Sequence, residues 1–121
     1  MSERFLLVAI IALFSLACGG RQSVMVVQKA EVSEAAAKTC DDLVAKAKTL
    51  WKERADRNKA QAAIDAWTEA AKINPNRFDI HRELAYAYYY MNNVFVRWED
   101  DDELEKKNYQ MGVDAAEKAL S

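Results

Sequence analysis

From about Ser33 to Ser121, alanine, lysine, leucine and glutamate dominate, and a single proline, Pro75, interrupts. Such a run favours helices, because these residues lose little on entering a helix while proline breaks one. The chain is therefore confined to a helical body divided at Pro75. Thr39, followed three residues later by Asp42, predicts a helix start, after which Leu43, Ala47, Leu50 and Trp51 share one face. A break falls at Asp56-Arg57-Asn58. A second helix is predicted over residues 59–73, with Ala63, Ile64, Trp67, Ala70 and Ala71 as its apolar stripe, and Asn74-Pro75-Asn76 ends it. A third, over 78–91, buries Ile80, Leu84, Tyr88 and Met91 and stops at Asn92-Asn93. The next stretch, VFVRWEDDDELEKK, sets large apolar side chains ahead of an acidic run, and a last helix covers about 102–120.

The other end has a different character. Residues 5–17, FLLVAIIALFSLA, form an apolar run broken only by Ser15. It is short against the roughly 20 residues that a membrane-spanning helix needs, and it reads as the core of an export signal. Ala17-Cys18-Gly19-Gly20 follows. This resembles the lipobox of bacterial lipoproteins: Leu16, Ala17 and Cys18 fit, while Ser15 stands where a leucine is usual and Glu3 offsets Arg4. An ordinary signal peptide, or a buried helix with an incidental cysteine, is the alternative. The lipobox reading makes residues 1–17 a signal peptide, Cys18 the lipidation site, residues 18–32 a tether and residues 33–121 the folded domain. The lipid then anchors the chain to a membrane surface on its periplasmic side. By resemblance to enterobacterial lipoprotein sorting, Gly19, which is not Asp, favours the outer membrane over the inner one. Cys40 is the thiol left in the mature chain, too few for an internal disulfide and best placed as a small buried helix residue.

Two helices, a proline turn and two more helices suggest a repeat. The tetratricopeptide pattern has a period of ~34 residues, with Trp-x2-Leu-Gly-x2-Tyr on the first helix and Ala-x3-Phe leading to Pro on the second. His81-x2-Leu84-Ala85-x2-Tyr88 fits the first helix, and Ala47-x2-Leu50-Trp51-x2-Arg54 is a weaker copy. Ala63-x3-Trp67-x2-Ala70-x4-Pro75 fits the second helix, and its later equivalent is Gly112-x3-Ala116-x2-Ala119-Leu120. The expected fold is all-α and tetratricopeptide-like, built of antiparallel helix pairs, with repeat 1 at about 44–77 and repeat 2 at about 78–121 carrying an insert near 93–107. Trp51 occupies a place that wants a small side chain. An irregular four-helix bundle is the other architecture these residues allow.

The tyrosine-rich succession Leu84-Ala85-Tyr86-Ala87-Tyr88-Tyr89-Tyr90, the insert, and Tyr109-x2-Gly112-x3-Ala116-Glu117-Lys118-Ala119-Leu120 resemble the T-component lipoproteins (TatT) of tripartite ATP-independent periplasmic (TRAP) transporters. The resemblance covers about residues 13–121 and is weakest over 21–45. It implies a lipid-anchored helical-repeat accessory protein that forms a homotrimer, docks a periplasmic solute-binding protein and helps pass a small hydrophobic or organic-acid ligand. Members are considerably longer. The last helix ends on Val113, Ala116, Ala119 and Leu120, which want a neighbour, so either the sequence is a fragment or oligomerisation covers them.

Composition and motifs narrow the remaining classes. A formal net charge of −2 gives no basic footprint for nucleic acid. The one histidine, His81, sits where the repeat packs a large side chain. With Cys40 it forms no metal-ligand spacing, and three glycines make no phosphate loop. No catalytic set and no cofactor are expected. The acidic run at residues 99–103 lacks the spacing of a calcium loop and reads as a solvated helix entrance. What remains is recognition. Tyr88 belongs to the core, while Tyr86, Tyr89 and Tyr90, with Asp79 and Arg82, fall on the face that lines the groove in tetratricopeptide arrays. Lys48 and Lys52 are their equivalents one repeat earlier. Tyrosine offers a stiff apolar surface with a polar tip, and the cations suit a carboxylate; alternatively, Tyr86 and Tyr90 merely pack against the insert or a further helix. Phe95, Val96 and Trp98 are candidates for a contact between protomers, or for a flap over the tyrosine helix. A general tetratricopeptide scaffold for an envelope assembly is the competing function.

Overall fold

A computed structural model describes residues 31–121; the expected signal peptide, the expected lipidation site Cys18 and nearly all of the expected tether lie outside the described residues. The fold is all-α. Four helices follow in order: α1 (Glu34–Lys52), α2 (Arg57–Ile73), α3 (Phe78–Val94) and α4 (Asp102–Leu120), with a short 3-10 turn, Val96–Trp98, between the last two. No described helix is long and apolar enough to cross a membrane.

Three boundaries differ from the sequence expectation, each for a local reason. Helix α1 begins earlier than Thr39. Ser33 caps it, its hydroxyl accepting from the Ala36 N–H at 3.2 Å, and the alanines behind it carry the helix onward. Thr39 lies inside, donating to the Ala35 carbonyl at 3.0 Å, and Asp42 pairs with Lys38. Helix α2 begins at Arg57 because Asp56 accepts from the N–H groups of Asn58 and Lys59. Helix α3 does not stop at Asn92-Asn93 but continues to Val94. Asn92 is fully buried and donates to the Glu105 carbonyl of α4 at 2.8 Å, and Asn93 donates back to the Tyr89 carbonyl. Both amides find partners without leaving the helix, so neither ends it. Helix α4 starts where expected: Asp101 accepts from the Leu104 N–H at 3.0 Å, so the acidic run serves as the entrance of the helix.

The helices pack as two antiparallel pairs, α1 with α2 and α3 with α4, joined by contact of α2 with α3. Small side chains make the first pair close. Cys40, Ala47, Ala60, Ala63 and Ala70 are all fully buried, and the Cys40 thiol near the start of α1 reaches the Ala70 carbonyl near the end of α2 at 3.5 Å. Trp67, 1 % exposed, fills the space that these residues leave. Tyr88 is half-buried rather than fully enclosed. Burial pushes its phenol up, and a hydrogen bond with Thr68 partly offsets that shift.

The turn at Pro75 is pinned twice. His81, 4 % exposed, packs as a structural residue and donates from Nε2 to the Pro75 carbonyl at 2.6 Å. Arg77 donates to both carboxylate oxygens of Asp79, at 3.0 and 2.7 Å, and also pairs with Asp41 of α1. The guanidinium holds the Asp79 carboxyl below its usual range against the opposing effect of burial, and the Arg77 pKa is raised in return.

Gly112 of α4 faces Ala85 and Tyr88 of α3. A Cβ added there would meet Tyr88 Cβ at 3.5 Å and the Ala85 carbonyl at 3.6 Å, ordinary contact distances. Gly112→Ala is therefore expected to stabilise the fold by up to about 1 kcal/mol, the helix-propensity gain over glycine. Urea unfolding followed by circular dichroism checks this, and a lower midpoint than that of the parent chain would show that α3 and α4 cannot yield even a few tenths of an ångström.

Candidate partner-docking face

The four tyrosines of α3 divide between different surfaces. Tyr86 and Tyr90 turn toward α1, where Trp51 waits. Its ring lies 5.1 Å from Tyr90, 6.2 Å from Tyr86 and 5.6 Å from Trp67, edge to face in each case. The size of Trp51, anomalous for the repeat pattern, thus has a use: it bridges from the α2 core to the tyrosines of α3. Arg54 stacks 5.6 Å from both Trp51 and Tyr90, and the Tyr90 hydroxyl donates to the Arg54 carbonyl at 3.4 Å. Phe95 closes the far side of Tyr90 at 6.1 Å. Tyr90 is consequently packed, whereas Tyr86 remains 53 % exposed.

Lys48 and Lys52 are exposed on α1. The other charged candidates are already engaged. Asp79 is held by Arg77, and Arg82 pairs with Glu83 at 2.6 Å while lying 5.9 Å from the Phe78 ring. Tyr89, 59 % exposed, belongs elsewhere: with Ala85 it lines a shallow depression against Tyr109, Gly112, Val113 and Ala116 of α4. Of the predicted groove, Tyr86 and Tyr90 meet on Trp51, and Tyr89 does not join them. Among the residues of the insert, Val96 is 1 % exposed and Phe95 packs on Tyr90, so their side chains turn inward. Of the three residues predicted as a protomer contact, Phe95, Val96 and Trp98, it is Trp98, 77 % exposed, that offers surface to another molecule.

A cleft of about 600 Å³ on the opposite side of α3 escaped the sequence reading. Leu84, Tyr88 and His81 form its floor. The apolar part of its walls comes from Ala71 of α2 with Met111 and Ala115 of α4, and Lys72, Asp114 and Lys118 supply charge. It lies where α2 and α4 both pack on α3, and residues of all three helices line it. Chemically it suits an apolar body with a polar end, in the size range of small-molecule pockets. No periodicity could have indicated it, since its lining comes from three helices and depends on their separation.

No group of three or more potential metal-ligating side chains occurs among the described residues. No known family model, curated protein or solved structure matches the chain.

Proposed function

We propose that this chain is a lipid-anchored docking protein of the bacterial envelope, with a tetratricopeptide-like body that recognises a partner through the α1–α3 face. The observation that carries this reading is the half-exposed Tyr86, seated edge-on against Trp51 of α1, a helix on which Lys48 and Lys52 are exposed. A rigid aromatic backed by a second ring is the kind of anchor that dominates binding interfaces, and the ammonium groups of that helix favour an acidic segment. The two antiparallel helix pairs joined at Pro75 support the repeat reading, and the Cys18 motif supports the anchor. By its resemblance to the T-components of TRAP transporters, the partner is a periplasmic solute-binding protein and the chain a non-enzymatic accessory at the outer membrane.

Passage of a solute has less support than docking. Asp79 is held by Arg77, whereas Arg82, though paired with its neighbour Glu83, stays exposed; the engagement of Asp79 favours the second reading, a scaffold for an envelope assembly that handles no solute. Purification of the native lipoprotein in mild detergent, with mass spectrometry on co-purifying proteins, separates the two. Near-equal recovery of a solute-binding protein supports the transporter role, while recovery of assembly proteins alone leaves the scaffold. Tyr86→Ala is expected to weaken capture about tenfold or more and Arg82→Ala less, with helix content unchanged. Capture indifferent to Tyr86→Ala would remove the partner from this face.

A further inference from the structure

The cleft over α3 is sorted along its length into a charged end and an apolar end. Gly112 of α4 faces Ala85 and Tyr88 of α3, and the two helices run antiparallel, so Lys118, further along α4, lies toward the His81 end of the floor. Pro75, whose carbonyl accepts from His81 Nε2, and Lys72, near the end of α2, border that same end. Thr68, which hydrogen-bonds with Tyr88, and Met111 border the other. Leu84, Ala71 and Ala115 line the space between. From His81 to Tyr88 the floor rises by about two helical turns, roughly 10 Å.

The charges at the rim are not equivalent. Lys118 is exposed and enters no ion pair among the described residues. Lys72 pairs with Glu69 at 2.6 Å, but both side chains are largely exposed, so that pair holds it weakly. Asp114, one turn nearer Met111, accepts from Gln110 Nε2 at 2.7 Å. Its negative charge opposes an anion partway along the cleft and leaves the Lys118 end as the favourable seat.

We propose that this cleft binds an amphipathic anion, an alkyl chain with a carboxylate or phosphate end, its charge on Lys118 and its chain laid over Leu84 toward Tyr88 and Met111. Burial of the chain supplies affinity in proportion to the apolar area covered. The ammonium, a point charge without a fixed fork, takes a carboxylate or a phosphate alike. Around α4, Met111, Asp114 and Lys118 lie about half a turn away from Tyr109, Val113 and Leu120, so whatever packs on that exposed stripe leaves the cleft open. Leu84 and Tyr88 likewise point away from Tyr86 on α3, so the assignment does not rest on the docking function.

The test is photo-crosslinking of the full-length chain in mild detergent with a decanoate that carries a diazirine at its tail, the labelled residues being located by mass spectrometry. Labelling is expected around Tyr88 and Met111, and excess plain decanoate should suppress it. Decanol and decyltrimethylammonium share the tail and enter the same micelles, yet should compete about tenfold less well, because they lack the charge-assisted contact. Lys118→Glu should reduce labelling about tenfold and Lys118→Arg should preserve it, both with an unchanged helical spectrum, since the position is exposed. Decyl phosphate as the stronger competitor would assign the anion to a phospholipid, and decanoate as the stronger to a fatty acid. Labelling spread over the exposed stripe of α4, competition indifferent to the sign of the head group, or labelling unchanged by Lys118→Glu would each overturn the assignment. Capture of a partner through Tyr86 is read on the other side of α3, so the docking function and this site can fail independently.

Discussion

Trp67→Ala is expected to cost about 3–5 kcal/mol, enough to unfold a large fraction of a domain of ordinary stability. The indole is 1 % exposed, lies 5.6 Å edge-on from Trp51, and is the largest side chain of the buried core. One feature moderates the loss: the indole N–H is buried without a hydrogen-bond partner. Such a donor carries a desolvation cost, so Trp67→Phe, which removes the N–H and retains a ring, should lose far less than the alanine variant. Urea unfolding of both variants against the parent chain provides the measurement. Equal losses for Phe and Ala would mean that the site demands the indole shape; no loss for Ala would place Trp67 outside the cooperative core.

Asn92→Asp should be comparably severe at neutral pH, about 3 kcal/mol or more. The side chain is fully buried, its Nδ2 donates to the Glu105 carbonyl, and its Oδ1 has no partner among the described residues. An ionised carboxylate would leave that carbonyl without a donor and add a buried charge facing it. The sign of the pH dependence follows. Burial raises the pKa of the introduced carboxyl above its unfolded value, so the penalty is fully present above the folded pKa and shrinks as pH falls through it. The protonated acid then supplies a donor to Glu105. Relative to Asn92→Ala, whose deficit should change little with pH, the Asp variant should recover on acidification. A deficit unchanged between about pH 7 and about pH 4.5 would mean that water reaches the site and solvates the charge.

These two sites also show where reading the chain succeeds and where it does not. Trp67 was legible because it falls on a stripe with Ala63 and Ala70, and one helical period suffices to recognise a buried face. The start of α4 was legible because Asp101 and the acids behind it complement a helix N-terminus. Asn92 was misread as a stop. Asparagine ends helices when its side chain competes for the local backbone, but here the Glu105 carbonyl of another helix supplies the partner. Trp51 was visible only as an exception to the repeat pattern, and its role depends on Tyr86 and Tyr90, 35 and 39 positions later. The tyrosines share a sequence cluster but not a surface, because successive helical positions turn by about 100° and α3 has neighbours on several sides.

The sequence by itself determined that this is an all-α chain broken near Asp56, at Pro75 and before Asp102, and it marked most of the residues that face inward. Those are local properties, set by propensity, capping and a 3.6-residue period. Tertiary structure decided which helices touch, and with that which polar groups are satisfied, which charges are consumed and which surfaces remain open. Asp79 pairs with Arg77, Val96 turns inward, and residues of α2, α3 and α4 together line a cleft over Leu84 and Tyr88. Each of these depends on distances between segments remote in the chain, which local periodicity does not encode.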